Sequence, residues 1–477
     1  MAERLSVGDL RLLADETSST PMHNATLEIF DPGDSGFGYE ALLAHIDDRI
    51  AFVPRYRQRV RRVPGRLANP VWVDDADFDL AYHVRRSALP RPGTLDQLRD
   101  LAARIISRRL DPERPLWEVY FIEGLEHGKV ALLSKSHQIL VDGISVDLGQ
   151  VLLDTGVEPR RVTAQSWTPA VEPTPLALLA GAVRQTVRRP TTAVQTVRSN
   201  AEALSRSVAD GAGRVAAVAN ALSNRRAAPE SPFNIRPSAQ RRLVCVRTEL
   251  KDYRKVRRVH GGTVNDVILA TLTGAIRVWL MTRADVVGTG RRLRALVPMS
   301  VIDEELEPTS LGSQVVGHLV DLPIGEVSPV VRLHQVSYAL RAHSETGRAV
   351  AANRLAGVAG FAPTTFHALG SRVAAEEVGS HVNLVVTNVP GPQFPMYLCG
   401  ARMTATYPVP PLQPGFSLSI GVTSYDGAVY YGITADRDAL PDADVLGQCV
   451  TEALDELLDT TADSRRRAPR GRRGGAS

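Results

Sequence analysis

The stretch KSHQILVDG (residues 135–143) ends an apolar run with His137 and Gln138 and continues into an Asp-Gly pair, Asp142-Gly143. Moving an acyl group from a thioester to a hydroxyl calls for a base of near-neutral pKa beside the hydroxyl, and neutral imidazole suits that task. If the run is a strand ending just before a turn, residue 138 projects into the space beyond the strand. Asp142-Gly143 then bends the chain, because Gly permits close backbone approach and Asp bonds turn amides or a distant Arg. The residue at the projecting position, however, is an amide. Gln138 donates and accepts hydrogen bonds but has no usable basicity near pH 7. His137 does not simply replace it, since neighbouring strand residues point to opposite faces. A bulge that advances the register by one would be required. Taken alone, LVDG reads as an ordinary strand-to-helix turn, and so short a pattern recurs by chance.

Other chemistries find little support. Ser134, Ser136 and Ser145 lie near the motif without a nucleophile-elbow context, and no glycine loop of Walker or Rossmann type is present. Cys245, Cys399 and Cys449 are far apart and form no C-x-x-C, which argues against a zinc site or a disulfide framework and suits a reducing cytosol. His23, His318 and the remaining histidines are scattered and read as core or surface residues.

The elements that would position the motif follow from periodicity. HNATLEIF (23–30) and DLAYHVRR (79–86) read as strands, and TLDQLRDLAARIISRRL (94–110) as an amphipathic helix with a capping box from Thr94 to Gln97. LWEVYFIEGLEHGKVALLSKSH (116–137) reads as two strands of a hairpin, and the residues after 140 as a turn running into a helix. In the second half, RRLVCVRTEL, LRALVPMS (293–300), HLVDLPIG (318–325) and HVNLVVTNVPGP (381–392) are expected strands. TVNDVILATLTGAIRVWL (263–280), PVVRLHQVSYALRAHSET (329–346) and DADVLGQCVTEALDELLDT are expected helices. FSLSIGVTSYDGAVYYGITADR (416–437) should form a hairpin turning at Asp426-Gly427. Strands and helices recur in both halves, so the class is α/β or α+β with two halves of similar size.

Length and charge sharpen this division. A chain of 477 residues exceeds one simple core. Residues 1–154 form one lobe with the motif, 155–240 a connector, 241–463 a second lobe and 464–477 a basic tail. The connector is rich in Ala, Arg, Ser and Pro, and its apolar seam from Val194 to Leu222 fits packing on the protein's own body better than membrane contact. The tail carries six Arg and no acid, a composition that suits an anionic membrane or lipid-droplet surface as readily as plain solvation. Sparse aromatics and the lack of a binding motif argue against nucleic acid. No signal-peptide core and no run of about 18 uninterrupted apolar residues occurs, so a cytoplasmic protein, peripheral at most to the inner face of the plasma membrane, is expected.

The block ERPLWEVYFIEGLEHGKVALLSKSHQILVDGIS (113–145) resembles the motif block of the bacterial wax ester synthase/diacylglycerol acyltransferase family: P-L-W, an apolar hairpin, then H-H-x-x-x-D-G. Further resemblances follow in order: LSVGDLRLLADETSSTPMH, NDVILA (265–270), VPMSV (297–301), NVPGP (388–392) and SYDGAVYYGITADRDALPD (424–442). The likeness covers nearly the whole chain. It implies two chloramphenicol-acetyltransferase-like lobes joined by a long helical connector, with a tunnel at their interface. It also implies an acyl-CoA-dependent O-acyltransferase that esterifies diacylglycerol or a long-chain alcohol, with acyl-CoA as substrate and no cofactor or metal. By the same resemblance His137 matches the first motif His and Gln138 the second, the general base, while Asp142 and Gly143 match the structural pair. Pro115, Leu116 and Trp117 match P-L-W, and Asn265 with Asp266 match N-D, as packing and capping groups. Two departures stand out: Gln138, and Ile302 where an Arg usually follows V-P-x-S-V. The competing expectation is a weak or silent paralogue that binds acyl-CoA or lipid, or regulates an active homologue.

Overall fold

A computed structural model describes residues 3–66, 68–140, 148–160, 167–178, 228–300, 315–344, 367, 371 and 381–466. Asp142 and Gly143, the connector seam 194–222, Ile302 and residues 467–477 of the tail lie outside the described residues. The first half runs α1 (Val7–Asp15), β1 (His23–Asp31), α2 (Tyr39–Arg49), β2 (Gln58–Arg61), β3 (Val71–Asp74), α3 (Leu80–His83), β4 (Val84–Ala88), α4 (Leu95–Ile106), β5 (Trp117–Glu123), β6 (Val130–His137) and α5 (Leu148–Leu152). The second half runs β7 (Arg241–Glu249), α6 (Leu250–His260), α7 (Val264–Thr282), β8 (Leu293–Ser300), β9 (Val315–Leu322), α8 (Pro329–Ser344) and β10 (Leu384–Pro390). It ends with β11 (Tyr397–Leu398), β12 (Ala401–Val409), β13 (Leu418–Tyr425), β14 (Ala428–Asp436) and α9 (Ala443–Arg466).

Two six-stranded mixed sheets, one per lobe, carry all the strands but β2 and β3, which pair with each other in a small separate sheet; this agrees with the α/β expectation. The first has the order β11-β12-β1-β6-β5-β4 and the second β7-β14-β13-β10-β8-β9. The motif strand β6 sits inside the first sheet between β1 and β5, antiparallel to both. The first sheet is not built from the first half alone. β12 pairs with β1 across a register from Ala25↔Val409 to Asp31↔Arg402, so the chain returns from the second half to complete it.

Local chemistry accounts for the elements. Thr94 and Gln97 form the capping box at the start of α4, with Gln97 N–H donating to Thr94 Oγ1 and Thr94 N–H to Gln97 Oε1. Leu98, Ala102, Ile105 and Ile106 then line the buried stripe of that helix. The β13–β14 hairpin turns at Asp426 and Gly427, whose φ values of 43° and 82° are the left-handed pair of a tight two-residue loop. One expected strand is corrected. Residues 79–86 do not extend throughout: Asp79 caps a short helix by accepting from Ala81 N–H, and only from Val84 does the chain enter β4. This turn brings His83 inward, where its ring stacks on Trp117 at 4.6 Å and its Nδ1 lies 2.8 Å from Trp117 O.

The lobes meet closely. β12 lies against β13 and β14, where Gly421 and Gly432 stand directly opposite each other. A Cβ on Gly432 would fall 1.6 Å from Pro408 O, and one on Gly421 2.9 Å from Pro408 Cβ, so only glycine lets the strand pass. Tyr425 and Tyr430 donate their hydroxyls to Met403 O and Thr404 O, each at 3.0 Å. Helix α4 packs on β7, and Arg99 reaches Asp444 of α9 at 3.4 Å. Helix α7 is long and apolar enough by composition to cross a membrane, but it is largely buried in the second core against α8 and α9.

Candidate active site

The end of β6 is fixed from both sides. His137 pairs with His23 of β1, and its N–H donates to Leu116 O at 2.9 Å. One residue on, Gln138 N–H donates to Met22 O at 3.0 Å, and the chain turns into a single 3₁₀ turn, Gln138–Leu140. The β1–β6 ladder runs from Phe30↔Val130 to His23↔His137 without a bulge. Alternation therefore holds to the end of the strand, and His137 and Gln138 do not exchange places.

His137 belongs to the face that carries Lys135 and, across the ladder, His23. Ile139 N–H donates to His137 Nδ1 at 3.2 Å, which puts the proton of the neutral ring on Nε2. That Nε2 lies 3.9 Å from Glu16 Oε1, a carboxylate that also accepts from Met22 N–H and Arg109. Lys135 is buried beside it. Its Nζ donates to Arg108 O at 2.7 Å, to Glu118 at 3.3 Å and to Ile105 O at 3.4 Å, all but Glu118 at the C-terminal end of α4, where a cation is favoured. Burial lowers the Lys135 pKa while Glu118 opposes the shift. Burial, and then the charge of Lys135, hold His23 well below the usual histidine value, with Nε2 2.9 Å from Ile106 O. This face is an ordered polar support.

Gln138 stands apart from it. The side chain is fully buried at 0% exposed, and neither Oε1 nor Nε2 finds a hydrogen-bond partner among the described residues. An unpaired buried amide is costly and uncommon, so its presence at the end of the motif strand marks a position where a ligand can supply the missing partners. Such an amide can donate to an oxyanion and accept from a hydroxyl, but it does not take up a proton near neutral pH.

The remaining expected residues fall into two groups. Pro115, Leu116 and Trp117 support the strand: Trp117 N–H donates to Pro115 O at 2.9 Å, Leu116 O holds His137, and Trp117 Nε1 donates to Tyr56 O at 2.7 Å. Asp266 is the N3 residue of the capping box of α7, bonded to Thr263 N–H at 2.9 Å and to the Ser337 hydroxyl. Asn265 Oδ1 accepts from Asn388 Nδ2 at 2.6 Å, joining the N-D and NVPGP segments in the second lobe. Among the described residues no hydrogen bond links either to the Gln138 side chain. Glu16, Asn24 and Ser134 were not expected at the site. The signal lay in HNATLEIF, whose Asn24, Thr26 and Glu28 alternate with apolar residues; such a face usually meets solvent, and here Asn24 and Glu28 are buried.

The chain is similar to known proteins along most of its length. Residues 5–268 match the family model of the wax ester synthase/diacylglycerol acyltransferase catalytic domain, and residues 311–458 match that of the WS/DGAT C-terminal domain. The chain is 41% identical over 261 residues to the probable diacyglycerol O-acyltransferase tgs3 of Mycobacterium tuberculosis, covering 54% of this chain and 96% of that protein. It is 34% identical over 452 residues to the probable diacyglycerol O-acyltransferase tgs1 of the same organism, covering 92% and 91%. Among solved structures, the wax ester synthase/diacylglycerol acyltransferase of Marinobacter aquaeolei VT8 superposes with a TM-score of 0.66 at 25% identity, over 96% of this chain and all of that one. The first condensation domain of the calcium-dependent antibiotic synthetase, 14% identical with a TM-score of 0.54 over 97% and 96% of the two chains, shares the fold.

Proposed function

The chain belongs to the wax ester synthase/diacylglycerol acyltransferase family, and from that premise we propose that it moves a fatty acyl group from acyl-CoA to the hydroxyl of diacylglycerol or of a long-chain alcohol. The product is a triacylglycerol or a wax ester. The observation that carries the reading is the buried amide of Gln138 at the end of β6, which has no hydrogen-bond partner among the described residues. In the reaction the acceptor oxygen attacks the thioester carbonyl, the tetrahedral intermediate collapses, and CoA leaves as the thiol. Gln138 Nε2 would donate to the oxyanion and Oε1 would accept from the attacking hydroxyl, orienting it. The hydroxyl proton passes to the departing thiolate rather than to Gln138. Loss of a general base costs about 10²–10⁴ in rate, so turnover should be slow.

His137 acts as a positioning residue in this scheme: its Nδ1 is engaged by Ile139 N–H and its Nε2 faces Glu16. A second reading is favoured by the same missing basicity, namely a lipid- or acyl-CoA-binding paralogue without turnover. Radiolabelled acyl-CoA with diacylglycerol separates the two. Ester formed by the native protein, abolished in Gln138→Ala and retained at a reduced level in His137→Ala, supports catalysis through Gln138. Acyl-CoA binding without ester, in the native protein, supports the silent reading. We also propose a cytoplasmic location with peripheral contact to the inner membrane face or a lipid droplet, supported by the Arg-rich composition of residues 464–477.

A further inference from the structure

The face of the first sheet opposite to His137 gathers polar side chains, two of which have no hydrogen-bond partner among the described residues. β1 sets Asn24 and Thr26 on it, β6 sets Ser136 and Ser134 directly opposite them, and β5 adds Trp117 and Val119. A cavity of about 30 Å³ lies between these strands and Leu148–Gly149 of α5, with Tyr56 and Trp117 as its aromatic walls. It is thus bounded by the strand that enters the motif and by the helix that leaves it. Asn24 is 8% exposed, and neither Oδ1 nor Nδ2 has a hydrogen-bond partner among the described residues; the buried Ser134 Oγ also has none. Buried polar groups are nearly always paired, so two exceptions, diagonal to each other in the ladder and lining one cavity, call for an occupant. The ladder also sets Asn24 diagonal to residue 138, whose N–H bonds to Met22 one step past the last pair.

We propose that this chamber receives an ester carbonyl of the acceptor, beside the hydroxyl that is acylated, and so favours a glyceride over a monofunctional long-chain alcohol. The inference rests on the acyltransferase reading above. A buried water needs roughly 10–15 Å³, so the space holds about two water-sized groups: room for a carbonyl, too little for a phosphate or a sugar. Asn24 Nδ2 and Ser134 Oγ supply donors for its oxygen. The rings of Tyr56 and Trp117 suit the start of an acyl chain. A fatty alcohol brings one oxygen, already committed to the reaction, and leaves Asn24 and Ser134 unpaired.

Steady-state kinetics with oleoyl-CoA and either 1,2-dioleoylglycerol or hexadecanol in mixed micelles test this on native protein, Asn24→Leu and Ser134→Ala. The ratio of kcat/KM for the glyceride over that for the alcohol should fall roughly three- to tenfold in each variant, through the glyceride KM, with the oleoyl-CoA KM constant. An unchanged ratio means that the chamber holds ordered water only and overturns the proposal. A rise confined to the oleoyl-CoA KM assigns the carbonyl to the CoA arm and overturns it too. Ser134→Ala removes a single atom and keeps the test open if Asn24→Leu does not fold. If neither native protein nor Gln138→His esterifies either acceptor, the acyltransferase reading has failed. Equilibrium binding of labelled 1,2-dioleoylglycerol to native protein and Ser134→Ala then decides the chamber, weaker binding by the variant supporting it and equal binding overturning it.

Discussion

At the scale of single residues, the fold spends its buried imidazoles on structure. His23, His45, His83 and His367 are all held below the ordinary histidine pKa, first by burial, and His367 at about 3. The unfolded chain therefore takes up protons below about pH 6.5 that the folded chain refuses. Stability is complete above that pH and declines as pH falls toward the folded values, by about 1.4 kcal/mol per pH unit for each such residue. Urea denaturation should show a lower midpoint at pH 5.5 than at pH 7.5, and His367→Asn should flatten the slope by about one proton. The family was legible in the sequence from its collinear motifs. What a single sequence could not supply was burial. Asn24, with no charge and no motif, reads as a surface residue of an alternating strand until the sheet shows that α5 covers it.

At the scale of elements, local rules carried most of the reading. Three capping boxes, at Ser6, Thr94 and Thr263, obey them, and Thr94→Ala should lower stability by about 1 kcal/mol in thermal or urea unfolding. The hairpin at Asp426-Gly427 was readable because φ > 0 at two successive positions demands those residue types. α6 was not foreseen: its buried side is only Leu250, Tyr253 and Val256 within a run of charges, too narrow a stripe to stand out. β12 was missed for a different reason. Its partner is β1, nearly four hundred residues earlier, and no local pattern encodes such a pairing. Its passage over the second sheet depends on Gly432, and Gly432→Ala should be far more damaging than an exposed Gly→Ala. A Cβ there overlaps the Pro408 carbonyl, so loss of cooperative folding, or a drop in melting temperature well beyond that of Gly288→Ala, is expected.

At the scale of the molecule, the division into 1–154, 155–240, 241–463 and a tail remains our proposal for the order of segments, while the sheets tie its ends together. Arg241, at the start of β7, donates from its guanidinium to Ser19 O and from its backbone to Ser107 Oγ at 3.2 Å, both in the first half. Burial lowers its pKa to about 10, with Asp436 opposing, so it stays charged as a fixed link between the lobes. The basic tail makes a separate prediction. Flotation with anionic vesicles should weaken on removal of residues 464–477 and on raising the salt, whereas neutral vesicles should show no such dependence. The central proposal is that Gln138 occupies the base position of an acyltransferase site. Its most direct test is kcat for ester formation by Gln138→His against native protein, with the KM for acyl-CoA measured alongside. The account predicts a rise of about 10²–10⁴ in kcat at constant KM for acyl-CoA. An unchanged or lower kcat in a folded Gln138→His protein would contradict it.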